Sequence, residues 1–115
     1  MDAYVFTALA EPNRRRIVEL LRDGPCPVGQ IAKRLHIRQP QVSKHLKVLS
    51  DAGVVVVRPA ANQRIYQLQP KPFEELDTWV ETFRKAWEGR LDKLDEYLQE
   101  LKAAQPPDDA PVQKP

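Results

Sequence analysis

Between Phe73 and Leu101, large apolar residues return every three or four positions: Phe73, Leu76, Val80, Phe83, Trp87, Leu91, Leu94, Leu98 and Leu101. That period marks one side of an α-helix. A helix over 73–102 would be about 45 Å long at 1.5 Å per residue. The chain has 115 residues, enough for one domain, and the rest of so small a domain cannot cover one whole side of that helix. A second copy of the chain would cover it. So would a reversal near Gly89 that folds the segment into a helical hairpin. The second copy is the more economical arrangement.

The residues before this segment read as short elements. Ala3 to Leu9 predicts a helix of two turns. Pro12, suited to the first helical position, opens a second helix that runs to about Asp23, with Ile17, Val18, Leu20 and Leu21 on its buried side. Gly24-Pro25 ends it. Val28, Ile31, Ala32 and Leu35 form one stripe and predict a third helix from about Pro27 to Leu35. His36-Ile37-Arg38 is a three-residue link. A fourth helix opens at Gln39-Pro40, runs to about Ala52 and stops at Gly53. The period then changes. Val54 to Arg58 is β-branched and reads as a strand, Pro59 to Gln63 as a five-residue loop, and Arg64 to Leu68 as the returning strand of a hairpin. Pro70 and Pro72 punctuate the chain before the long helix. The last thirteen residues hold four prolines and no aromatic residue. The expected organisation is therefore one domain over 1–102 and a disordered, Pro-rich tail over 103–115.

Several classes of protein are not expected. The longest apolar run, Ala52 to Val57, is far short of the roughly 20 residues of a membrane span. Asp2 follows Met1, so no basic-then-apolar leader pattern is present. Cys26 is the only cysteine, which rules out an internal disulfide or a cysteine-based zinc cluster. A cytoplasmic protein without a membrane partner is the expectation. Paired carboxylates, a Gly-rich phosphate loop and a metal-ligand set are all missing, so an enzyme is not expected and no cofactor is called for.

The net charge of +2 hides an uneven distribution. Residues 24–50 carry Lys33, Arg34, Arg38, Lys44 and Lys47 and no acid, whereas residues 73–102 carry nine acids and five bases. A long stretch without carboxylates suits an anionic partner, of which nucleic acid is the commonest. Two short helices joined by three residues and followed by a hairpin is the order of a winged helix-turn-helix, mainly α with a β-hairpin. On the fourth helix, the candidate recognition helix, Val42, Leu46 and Leu49 share one side within about 40°. Lys44 and Lys47 lie opposite, flanked by Gln41 and Ser43. The lysines suit phosphates or guanine edges, and Gln39 and Gln41 suit adenine. Arg38 in the link, Arg58 and Arg64 bracketing the hairpin tip, and Asn62 at the tip complete the expected DNA-binding set. His45 lies at the edge of the buried side and is expected to serve within the fold. Ser43 and His45, two apart on a helix, do not face each other and form no catalytic pair.

Ala8 to Leu21 (Ala-Leu-Ala-Glu-Pro-Asn-Arg-Arg-Arg-Ile-Val-Glu-Leu-Leu) resembles the opening of bacterial ArsR-type winged-helix repressors. So does Gln39 to Leu49 (Gln-Pro-Gln-Val-Ser-Lys-His-Leu-Lys-Val-Leu), with Ala52-Gly53 before the first wing strand and Arg64 to Leu68 as the second. The resemblance covers residues 3–102. It implies a homodimeric, sequence-specific repressor that binds double-stranded DNA at a pseudo-palindromic operator, often overlapping its own promoter. It also implies dimerisation through the first and last helices. Tyr4, Val5 and Leu9 of the first and Trp79, Phe83, Trp87, Leu91, Leu94 and Leu98 of the last are the expected interface. The family's arsenic-type cysteine positions align with Pro27, Gly29 and Ala32, none of which binds a metal. The zinc-type site needs a histidine on the last helix, which has none. A member without the family's metal site is therefore expected, its effector unknown. Cys26 reads as a small buried thiol, and Trp79, Phe83 and Trp87 as dimer core rather than an effector cleft. A rival reading is a winged-helix module that binds another regulator through its acid-rich last helix.

Overall fold

The computed structural model describes residues 2–104. The tail expected at 103–115 lies, from residue 105 onward, outside the described residues. The chain divides into two compact units, Met1–Asp77 and Thr78–Pro115. In order, the elements are α1 (Ala3–Ala10), α2 (Pro12–Leu21), β1 (Cys26–Pro27), α3 (Val28–Leu35), α4 (Gln39–Asp51), β2 (Val55–Ala60), β3 (Gln63–Leu68) and α5 (Pro70–Ala104). The mainly helical chain with a β-hairpin is the winged helix-turn-helix arrangement expected.

Local chemistry sets the helix ends. Asp2 caps α1, its side chain accepting from the Tyr4 amide at 2.9 Å. Glu11 caps α2 by accepting from the Arg14 amide at 2.9 Å, and Pro12 takes the first turn, where a missing N–H costs nothing. The arginines that follow are occupied inside the fold. Arg14 Nε donates to the Ala8 carbonyl at 2.6 Å, and Arg15 Nη1 donates to the Leu9 carbonyl at 3.2 Å, so both close the free carbonyls of α1. Arg16 Nη2 donates to the Leu35 carbonyl at 2.9 Å and ties α2 to the end of α3. That end is made by His36 in the left-handed region (φ 56°), with the Ile37 amide donating back to Ala32.

The core of the first unit gathers one residue set from each element. Ile17, Ile31, Val42, Leu46, Leu49 and Val54 are its largest fully buried side chains. Val42, Leu46 and Leu49 are the buried side of α4 anticipated from the sequence. Val5 and Ala8 of α1, Cys26 and Tyr66 belong to the same cluster, and Val18, Leu35 and Leu9 pack partly buried against it.

Three details differ from expectation. The sheet has three strands in the order β1-β3-β2, all antiparallel, because Cys26 pairs with Tyr66 and Pro27 with Ile65. The hairpin tip has two residues, Ala61 and Asn62, not five. Pro59 pairs with Arg64 and Ala60 with Gln63, and Ala61 turns the chain with φ 54°. Pro59 is tolerated because β2 is an edge strand of the sheet. Finally, Pro70 and Pro72 do not precede the long helix. They sit in its first turn, where backbone N–H groups have no helical acceptor.

Within the second unit α5 is unbroken through Gly89, so the hairpin alternative is not adopted. A helical glycine costs only about 1 kcal/mol, less than the several backbone hydrogen bonds a reversal would open. Trp79 and Phe83 meet edge to face, their ring centroids 4.9 Å apart, and the Arg90 guanidinium lies 5.6 Å from the Trp87 ring centroid. Trp79, Phe83, Trp87, Leu91, Leu94, Tyr97, Leu98 and Leu101 are all exposed in the single chain. No helix among the described residues is long and apolar enough to cross a membrane.

Candidate nucleic-acid interface

Because α4 buries Val42, Leu46 and Leu49 completely, its remaining positions are turned outward by the helical period. Gln39, Gln41, Ser43, Lys44 and Lys47 are all exposed, as are Arg38, Arg58, Asn62 and Arg64. All nine residues of the expected DNA-binding set thus lie on the surface.

They do not all lie together. Gln39, Asn62 and Arg64 line one cleft, between the start of α4 and the hairpin tip. Ser43, Lys47 and Arg64 line a second, between the side of α4 and the hairpin. Arg64 borders both, which joins the hairpin to the helix-turn-helix as one concave surface. Gln41, Lys44 and Arg38 are outside both clefts on open surface.

Arg58 is separated from Arg64 by the pleat. Arg64 pairs with Pro59 and so shares the face of Val57 and the buried Tyr66. Arg58 pairs with Ile65, one position on, and therefore lies on the opposite face. There its guanidinium donates to the Gln67 side chain. The two arginines bracket the tip in sequence but point to opposite sides of the hairpin.

The clefts also bring in residues that the sequence reading left out. Gln30 and Lys33 of α3 line the first, and Ser50 and Asp51 the second. Lys33 carried a signal, since it lies in the acid-free stretch. Its nearness to the hairpin tip depends on the two-residue pairing of β1 with β3, which no periodicity announces.

His45 is turned inward, as expected. Its side chain is 20% exposed, with Nδ1 3.7 Å from Oε2 of Glu11, so it joins α4 to the N-cap of α2. Partial desolvation works to raise the pKa of Glu11. It is outweighed by hydrogen bonds from the Arg14 and Asn13 amides and by the positive charges of His45 and Arg14, which hold the carboxyl below its usual value. Cys26 is a buried free thiol, pushed up by burial against a smaller opposing influence of Arg34. Among the described residues, no group of three His, Cys, Asp or Glu side chains gathers where it could hold a metal ion.

Of the expected interface on α1, Tyr4 is 72% exposed, whereas Val5 is only 4% exposed. Val5 is spent on the core of its own chain and offers a partner almost no surface. Leu9 is half-buried against the same core. A valine on a two-turn helix cannot be assigned to core or interface from spacing alone.

Comparison with known proteins places this geometry. A family described as a helix-turn-helix domain matches residues 9–58, from the end of α1 into β2. The chain is 47% identical over 76 residues to the HTH-type transcriptional regulator Rv2034 of Mycobacterium tuberculosis, covering 66% of this chain and 71% of that protein. It is 32% identical over 79 residues to the transcriptional repressor SdpR of Bacillus subtilis, covering 69% of this chain and 88% of the relative. Among solved structures it is similar to the homodimeric winged helix-turn-helix DNA-binding domain of a possible ArsR-family regulator from Mycobacterium bovis. There the TM-score is 0.61 at 26% identity, over 72% of this chain and 77% of that one.

Proposed function

The chain belongs to the ArsR family of winged helix-turn-helix transcriptional regulators, and from that premise we propose that it is a homodimeric, sequence-specific repressor acting on double-stranded DNA. In this reading residues 1–102 are its DNA-binding and dimerisation domain and it acts in the cytoplasm. Gln39, Gln41 and Ser43 read base edges, Lys44, Lys47 and Arg38 neutralise phosphates, and Asn62 and Arg64 of the wing follow the neighbouring backbone or minor groove. The observation that carries the reading is the meeting of α4 and the hairpin along one exposed concave surface bordered by Arg64.

The second copy is supported by the row of exposed aromatic and leucine side chains on α5, far more apolar surface than a single chain leaves in water without cause. Tyr4 and Leu9 extend the proposed contact. With two recognition helices related by a two-fold axis, the operator is a pseudo-palindrome with half-sites about one helical turn apart. Repression of its own promoter is the mode of regulation proposed. Pro27, Gly29 and Ala32 stand where the family's arsenic-type ligands align, so the proposed repressor takes no metal there, and its chemistry is binding rather than turnover.

Footprinting on genomic fragments selected by the purified protein tests this. A protected inverted repeat is expected. Failure to enrich any sequence, with binding only at low salt, would instead favour a protein-binding role for the acidic last helix.

A further inference from the structure

Residues 24–72 carry eight cations (Lys33, Arg34, Arg38, Lys44, Lys47, Arg58, Arg64 and Lys71) and one carboxylate, Asp51. That carboxylate is on the proposed DNA surface itself. It lines the cleft between α4 and the hairpin together with Ser43, Lys47, Ser50 and Arg64. Lys47 Nζ donates to Asp51 Oδ2 at 3.3 Å. One of the two lysines on the outward side of the recognition helix is therefore already paired within the chain.

Stability does not account for this arrangement. Asp51 is the last residue of α4, where the helix dipole disfavours a negative charge. The pair also runs Lys at i to Asp at i+4, the weaker of the two orders on a helix. Both side chains are exposed, at 77% and 67%, so the pair adds little to the stability of the fold. An acid placed against the helix rule, in a cleft with no other acid and on a cation of the proposed DNA surface, points to a role in binding.

We propose that Asp51 limits the affinity of this surface for the DNA backbone by holding Lys47, so that a phosphate must displace the carboxylate before it gains that cation. The proposal rests on the DNA-binding reading above. Sequence-independent binding is almost wholly electrostatic and scales with the number of phosphates neutralised. One cation withheld per protomer therefore acts directly on it. The device keeps the repressor from being retained on random DNA without altering the side chains that read bases.

The test uses the full chain and a random-sequence duplex of about 20 base pairs, with binding measured across a series of salt concentrations. Asp51→Asn is expected to bind several-fold more tightly at low salt. The plot of log affinity against log salt is expected to steepen by about one per protomer. Its midpoint of thermal unfolding stays the same or rises. In a Lys47→Ala background the same substitution leaves the slope unchanged. An unaltered slope and affinity for Asp51→Asn, a gain that persists without Lys47, or a variant that no longer folds would each overturn the proposal. If the wild-type chain binds no duplex at low salt, the DNA-binding reading falls, and this inference with it.

Discussion

At the scale of single residues, the exposed cations of this chain divide by what already holds them. Lys44 has open surface around it, whereas Arg58 is engaged with Gln67 on the far face of the hairpin. Lys44→Ala is therefore expected to weaken operator binding by about 1–2 kcal/mol and to lower the salt slope by about one, while Arg58→Ala changes both less. Titrations of the two variants against one operator fragment compare them directly, and equal losses would contradict the division. Glu11 offers a pH test. Its carboxyl is held below the usual value in the folded chain, so its contribution is present above the carboxylate range and is lost as pH falls through the folded-state value. Glu11→Gln is expected to lower the unfolding midpoint at neutral pH, and the gap to wild type is expected to close in acid. Thermal unfolding followed across pH reads it. The role of Glu11 was not legible beforehand, because its partner His45 is 34 positions away in sequence.

At the scale of elements, the helices that bury a clean stripe were the most legible. The side of α4 that carries Val42, Leu46 and Leu49 could be read from period alone, and so could the three-residue link His36–Arg38. What could not be read was set by contacts with little local signature. β1 is two residues long and exists because β3 lies beside it. The two-residue tip puts Ala61 at φ 54°, a conformation that alanine does not advertise. Pro59, Pro70 and Pro72 suggested interruptions, but an edge strand and a first helical turn each accept proline. The same geometry yields predictions. His36 holds a left-handed position at φ 56° with no hydrogen-bonding need for its own side chain at that cap, so His36→Gly is expected to stabilise the domain by up to about 1 kcal/mol. Leu46 is completely buried, and Leu46→Ala is expected to cost about 2–5 kcal/mol. Denaturant unfolding of both variants checks the signs.

At the scale of the whole molecule, the long helix and the charge asymmetry belong to one account. A chain that leaves Trp87, Leu91, Leu94 and Leu98 about half exposed is built to be covered. Pairing two copies also duplicates the α4 surface, and duplication is what lets a small domain read a site long enough to be specific. Trp87→Glu combined with Leu94→Glu is expected to yield a folded monomer by sedimentation, with the first unit intact and operator affinity greatly reduced. An unchanged dimer would remove α5 from the interface. The exposed apolar row of α5 was legible from the period of 73–102, whereas Val5 shows how a short helix conceals which of its apolar residues are spent at home. The most direct measurement is footprinting of the purified protein on the genomic fragment it enriches most strongly. The account predicts an inverted repeat, protected on two half-sites about one turn of DNA apart. Protection of a single undivided half-site, or none at physiological salt, would contradict a dimeric reader of DNA.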